Sequence, residues 1–504
     1  MTVSSPAASA PDRPPVRLRA GALSLTASVV IGVASAGPAY SLTATLGLVV
    51  LAVGWQAPIV ALLAFVPMLL VAIAYRELNA AEPDPGTTFV WATRAFGPLV
   101  GWLNGWAIVI ADLLVMASLA QVSAQYTFLF CGADGIGSRP DDPRVLLLGL
   151  GYIVAMTWVA VRGITLSARL QAVLLTVEFV MLVVFAVVAL IRVALGDGTA
   201  TPELSWFNPL AIGSFSTFVD ALLLMVFIYW GWDSVMSTNE ETKDPRRTPG
   251  RSAIIATITL VGLYVLVTVA AQAFAGIGTD SGGLADPEHV DDILGALGSA
   301  VFGDSTIGTI AVHLLLLMVL TSAAASTQTT ILPTSRTTYS MALHGALPAR
   351  YGAVDPRYRT PVVSTVVFGV ASILLYLVLS ALSGRWGSTE SPIVDAVSAC
   401  GIGIGIYYGC TGLACAWLYR NRLRDSVRDF LMRGLLPTLG GAMLLFAAGW
   451  TAVTEWPSPV FLLGVGGMLA GLPIYFRLSR TMPPYFRGET LARQLPGPAE
   501  AVRE

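Results

Sequence analysis

Long apolar runs, broken by short polar stretches, fill most of this 504-residue chain. A helix needs roughly 20 consecutive apolar residues to cross the hydrocarbon core of a bilayer. On that measure the pattern predicts twelve helical spans, at roughly 22–50, 56–75, 97–127, 145–162, 170–194, 216–237, 252–276, 308–333, 361–382, 393–418, 434–453 and 458–477. The runs are continuous rather than alternating, which excludes a transmembrane β-barrel. The expected fold class is therefore an all-α integral membrane protein with twelve transmembrane helices.

Two spans carry helix-breaking residues where a plain span would carry Leu. The first reads Ile31-Gly32-Val33-Ala34-Ser35-Ala36-Gly37-Pro38, and the sixth reads Phe227-Ile228-Tyr229-Trp230-Gly231-Trp232-Asp233-Ser234. They lie five spans apart. Five is odd, so a five-span repeat must invert in its second copy. Matching interruptions in two inverted halves point to the binding site of a secondary transporter, because backbone groups freed at membrane depth are tolerated where they line a cavity or are buried in protein. The alternative is that each Gly or Pro merely packs or kinks its helix. The predicted organisation is a tail at 1–21, a first repeat at 22–195, a second at 215–418, two further helices at 434–477 and a tail at 478–504.

Composition agrees. Charged residues make up 12% of the chain and apolar ones 55%, whereas a soluble domain carries about 25% charged residues. The first 20 residues are polar, hold Arg13, Arg17 and Arg19, and lack the apolar core of a signal peptide, so they read as a cytoplasmic tail. With twelve spans, all of the 29 basic residues except Arg139, Arg144, Arg192 and Arg385 fall on that same side. The segment 278–307 has the opposite character, with six acidic residues (Asp280, Asp286, Glu288, Asp291, Asp292 and Asp304) and no Lys or Arg. This asymmetry places both termini in the cytoplasm. No basic stripe suggests nucleic acid. The four cysteines show neither disulfide pairing nor metal-ligand spacing, and no hydrolase or metalloprotease motif is present. No enzyme activity, cofactor or metal is expected. The expected partners are a small-molecule substrate, a proton and the bilayer, with oligomeric state left open.

Three polar blocks between spans carry a family resemblance. The first is Tyr75-Arg76-Glu77-Leu78 followed by Pro85-Gly86-Thr87-Thr88-Phe89-Val90-Trp91 and Phe96-Gly97-Pro98-Leu99-Val100-Gly101-Trp102. The second is Glu240-Glu241-Thr242-Lys243-Asp244-Pro245-Arg246-Arg247-Thr248-Pro249. The third joins Arg336-Thr337-Thr338-Tyr339 to Gly345-Ala346-Leu347-Pro348 and Arg357-Tyr358-Arg359-Thr360-Pro361. In this order and at these spans they resemble the amino acid–polyamine–organocation (APC) superfamily of permeases. The resemblance implies the leucine-transporter architecture of two inverted five-helix repeats plus two extra helices, with amino acids or related amines as substrates.

It also implies a site. The carboxylate of an amino acid would sit on N–H groups near Ser35, Ala36 and Gly37, at a half-helix N-terminus. Its ammonium would face carbonyls near Ile31, Gly32, Phe227 and Ile228. Pro38 has no N–H, so the donor set is smaller than in members with Gly-Ser-Gly-Ile-Phe here. Phe227 aligns with the aromatic gate of arginine/agmatine-type members, with Tyr229, Trp230 and Gly231 beside it. These rings would close over a substrate or pack between helices. Acidic residues deep in the membrane are functional candidates by default. Asp112 is one, and Glu178 is the sharpest, because some proton-coupled relatives carry there a Lys that stands in for sodium. Asp233 is read as a cap on the inner half-helix. The function expected is proton-coupled secondary transport across the cell membrane. An exchanger, or an amine-gated channel or sensor on the same scaffold, is the alternative.

Overall fold

A computed structural model describes residues 17–280, 282–287, 292–303, 305–383, 391–493 and 495. Arg385, Glu288, Asp291 and Asp304 lie outside the described residues. Helices dominate, and among the described residues the one β pairing recorded is an isolated bridge between Leu23 and Thr242. Eleven described helical stretches are long and apolar enough to cross a membrane. The first, Leu25–Ala81, is 57 residues long and takes in the first two predicted spans. It is interrupted at Gly37 and again by a tight turn at Gly54–Gln56.

The helices are two-faced in a way their composition hides. In Ile164–Leu195 most residues are apolar, yet Val173, Val180, Val184, Val187 and Ile191 are exposed while Gln171, Glu178, Leu182, Phe185 and Ala189 are buried. Each set recurs at three, four or seven residues and so shares one helix face. The outer face suits lipid and the inner face carries the polar groups. Glycines permit close helix contact: a Cβ on Gly409 or Gly412 of Pro392–Tyr419 would come within 2.5 Å of Leu445 or of the Pro437 carbonyl.

The three polar blocks gather at one end and stitch the helices together. Leu23, just before the first helix, pairs with the second block through Leu23 N–H to Glu241 O (2.9 Å) and Lys243 N–H to Leu23 O (3.0 Å). The Arg336 guanidinium donates to the Glu241 carboxylate at 2.7 Å, both side chains being almost fully buried. Asn79, at the end of Ala57–Ala81, accepts from Asn239 and donates to the Pro245 carbonyl. Asp84 accepts from Gly86 N–H, Ser340 Oγ and His344 Nε2. Burial disfavours charge on both Asp84 and His344, but their attraction outweighs it, so Asp84 lies below the ordinary carboxylate value and His344 above the ordinary imidazole value.

Several boundaries differ from expectation, the eighth span most. The eighth predicted span stops at 333, whereas the helix runs Thr306–Leu343, through Pro333. Its last turns are polar, and hydropathy alone ends them. They stay helical because Arg336, Ser340 and the residues between them are packed against the other blocks.

Candidate functional site

The site grows from the two breaks. Helix Leu25–Ala36 ends at Gly37, whose φ of 53° and ψ of 62° are left-handed, and a second helix, Pro38–Val53, restarts immediately. Proline suits that first helical position, where its missing N–H is not needed by the helix. Helix Phe215–Tyr229 ends at Trp230, Gly231 takes a φ of 115°, and the chain resumes as the short helix Ser234–Ser237. The breaks touch: a Cβ on Gly231 would lie 2.5 Å from the Ser35 carbonyl oxygen, and Ser35 Oγ and Ser234 Oγ are hydrogen bonded at 2.6 Å.

Two small, narrow, adjoining cavities lie beside this contact, sharing Ser35, Trp230 and Thr330. Asp112, Asp233 and Tyr407 line the first, and Phe227, Tyr40 and Ser326 the second. Trp230 Nε1 donates to the Tyr407 hydroxyl at 2.5 Å, which donates to Asp233 Oδ2 at 3.3 Å. Asp112 Oδ2 accepts from Thr334 Oγ1 at 2.5 Å.

Glu178 lies behind the first break and lines neither of these cavities. Its Oε1 accepts from Ala39 N–H at 2.8 Å and from Ser322 Oγ at 2.6 Å, while Oε2 is buried without a partner. Ser322 Oγ in turn accepts from Tyr40 N–H at 3.1 Å. One carboxylate thus links helix Ile164–Leu195 to the N-terminus of Pro38–Val53 and to Thr306–Leu343. A negative group is favoured at a helix N-terminus by the free N–H groups and the helix dipole.

Of the candidates, Ser35, Ala36, Phe227, Trp230, Gly231 and Asp112 line a cavity. The others do not. Ile31 is fully buried, and a Cβ on Gly32 would meet Val235 and Ala256. The Gly37 N–H donates to the Ala34 carbonyl at 3.2 Å. The Ile228 carbonyl accepts from the Tyr264 hydroxyl, and Tyr229 turns away to donate to the Ala61 carbonyl. Asp233 makes no side-chain bond to the Ser234–Ser237 helix it precedes, contrary to the capping role expected. Its carboxylate accepts from the Tyr407 hydroxyl instead. Sequence reasoning missed Tyr407, Thr330 and Ser326. No local signal marks Tyr407, but Ser322, Ser326 and Thr330 recur at every fourth position and so share one helix face.

A sequence model of the family described as "Amino acid permease" matches residues 20–476. Similar proteins include a vacuolar cationic amino acid transporter 4 of Arabidopsis thaliana, 27% identical over 65% of this chain and 54% of that protein, so the match spans about half of that relative. A branched-chain amino acid permease of Bacillus subtilis is 24% identical over 82% of this chain and 83% of its own length. The human large neutral amino acids transporter small subunit 2 is 23% identical over 80% and 70%. These relatives are named as transporters and permeases rather than as enzymes.

Proposed function

Because this chain belongs to the amino acid permease family, we propose that it moves amino acids or related amines across the cell membrane by alternating access, with substrate movement coupled to a proton. The observation that carries this reading is the contact between the two helix breaks, Gly231 against Ser35, with a polar and aromatic cavity beside it. Purified protein in sealed vesicles is expected to accumulate labelled substrate above the outside concentration when a pH gradient is imposed. Equilibration without accumulation would identify a channel, and uptake dependent on preloaded internal substrate would identify an exchanger.

The topology belongs to the same proposal. As one straight helix, Leu25–Ala81 would be about 85 Å long at 1.5 Å per residue, far beyond a hydrocarbon core of about 30 Å. Folding back at Gly54–Gln56 makes two crossings of it and twelve in all, with both termini on one face. The first and sixth crossings then carry the breaks of two inverted repeats. The basic residues favour the cytoplasm as the face that holds the three polar blocks. In a protein freed of its own cysteines, Thr279→Cys should react with an impermeant maleimide from outside intact cells and Asn421→Cys only after lysis. Labelling of both from the same side would refute this arrangement.

Glu178 is the proposed proton carrier. A buried carboxyl is cheap when protonated and costly when ionised without partners. Glu178 bridges three helices, so adding or removing one proton changes how firmly the outer half of the first span is held. That supports a two-state element biased by a proton.

A further inference from the structure

The cavity at the breaks is acidic and has no basic partner. Asp112 and Asp233 line it, 2% and 7% exposed, and no Lys, Arg or His is among its lining residues. The donors to these carboxylates, the Thr334 and Tyr407 hydroxyls, are neutral. Two carboxylates at this depth are expensive unless something positive joins them.

An independent observation concerns the anionic half of an amino acid. Its natural berth is the N-terminus of helix Pro38–Val53, where the first four N–H groups of an ordinary helix are unsatisfied. Here none is free. Pro38 has no N–H. Ala39 N–H is bound to Glu178, Tyr40 N–H to Ser322 Oγ and Ser41 N–H to the Gly37 carbonyl. The chain's own groups, the Glu178 carboxylate among them, thus use the N–H donors that this helix end would offer to a substrate carboxylate.

We propose that the substrate of this site is an alkyl ammonium, a mono- or diamine recognised without an α-carboxylate, with its charged group held at Asp112 and Asp233 and its alkyl chain against Trp230 and Phe227. This deepens the transport reading above and rests on it. The indole of Trp230 lines both cavities, and the Phe227 ring lies 6.2 Å from it, centroid to centroid. Aromatic faces stabilise a desolvated ammonium as well as its methylene chain. The neutral hydroxyls of Ser35, Thr330 and Tyr407 supply acceptors for the remaining N–H bonds without adding charge.

Three ligands separate the chemistries: lysine, norleucine (lysine without its side-chain ammonium) and cadaverine (lysine without its carboxylate). On the purified full-length protein, cadaverine is expected to raise the thermal unfolding midpoint and to be taken up into vesicles. Norleucine should do neither. Asp112→Asn and Asp233→Asn should each weaken cadaverine binding by roughly 30-fold or more, the scale of removing one partner of a buried charge pair. Should either variant fail to fold, the three-ligand comparison on the unaltered protein decides alone. Norleucine binding as well as cadaverine overturns the proposal, and so does lysine binding while cadaverine is silent, because a carboxylate subsite must then exist. Accumulation of norleucine or another neutral amino acid would sink the amine site and leave the carrier reading standing. Failure of every amine and amino acid to accumulate under any ion gradient would remove the carrier reading itself.

Discussion

A Gly231→Ala protein is expected to fold and reach the membrane, yet to bind substrate at least about 100-fold more weakly and to show no measurable uptake. Two costs combine. The φ of 115° lies where residues with a Cβ are strained, at roughly 1–3 kcal/mol. The added Cβ would also fall 2.5 Å from the Ser35 carbonyl oxygen and 2.8 Å from the Ala36 nitrogen. Those are backbone atoms of the other broken helix and cannot rotate aside, so the breaks must move apart and the cavity between them must change shape. Gly37 makes an instructive comparison. Its φ is 53°, but its Cβ would meet Ser326 Oγ at 2.3 Å, and a serine side chain can turn away. Gly37→Ala is therefore expected to be milder than Gly231→Ala. Gly37→Val, with a β-branched residue in the left-handed region, should again abolish binding. Gly401→Ala, with nothing within 4 Å of the new Cβ, is the control and should behave as the parent protein. The measurements are substrate-induced thermal shift and initial uptake rate. Parental affinity in Gly231→Ala would show that the two breaks do not form the site.

Glu178→Gln is expected to separate binding from coupling. Glutamine keeps a carbonyl oxygen for Ala39 N–H and Ser322 Oγ and cannot lose a proton, so it imitates the protonated side chain. Substrate binding and exchange between equal pools should persist, while accumulation driven by an imposed pH gradient should fall by roughly tenfold or more. Stability should drop modestly, by about 1–3 kcal/mol, because the amide nitrogen would occupy the position of Oε2, which is buried without a partner, and leave its N–H donors unpaired. Undiminished accumulation on the pH gradient alone would make Glu178 a structural cap, and the coupling group would lie elsewhere.

Much of the molecule was legible before any coordinates. Hydropathy located the helices because each membrane segment must satisfy its backbone hydrogen bonds internally, whatever its neighbours do. The Gly37 and Gly231 breaks were legible for a similar reason: Gly-Pro and Trp-Gly-Trp interrupt a helical run on local grounds. The three polar blocks were recognisable as motifs. Their purpose was not, because it lies in contacts such as Arg336 to Glu241 and Leu23 to Thr242 that join residues far apart in the chain.

The site itself divides along the same line. That Glu178 and Asp112 are buried acids could be expected from their apolar surroundings. That Glu178 sits on the Ala39 N–H, at the start of helix Pro38–Val53, depends on how three helices pack. So does the turn of Asp233 toward Tyr407, a residue 174 positions away with no local signature. Sequence alone determined which segments are long and apolar enough to cross a membrane, where two of them break and which polar side chains lie within them, since hydropathy and backbone conformation act over a few residues. The tertiary structure alone decided which N–H groups are already taken and which carboxylates share a cavity, because hydrogen bonds act over about 3 Å and only the packing of distant helices brings those atoms within reach.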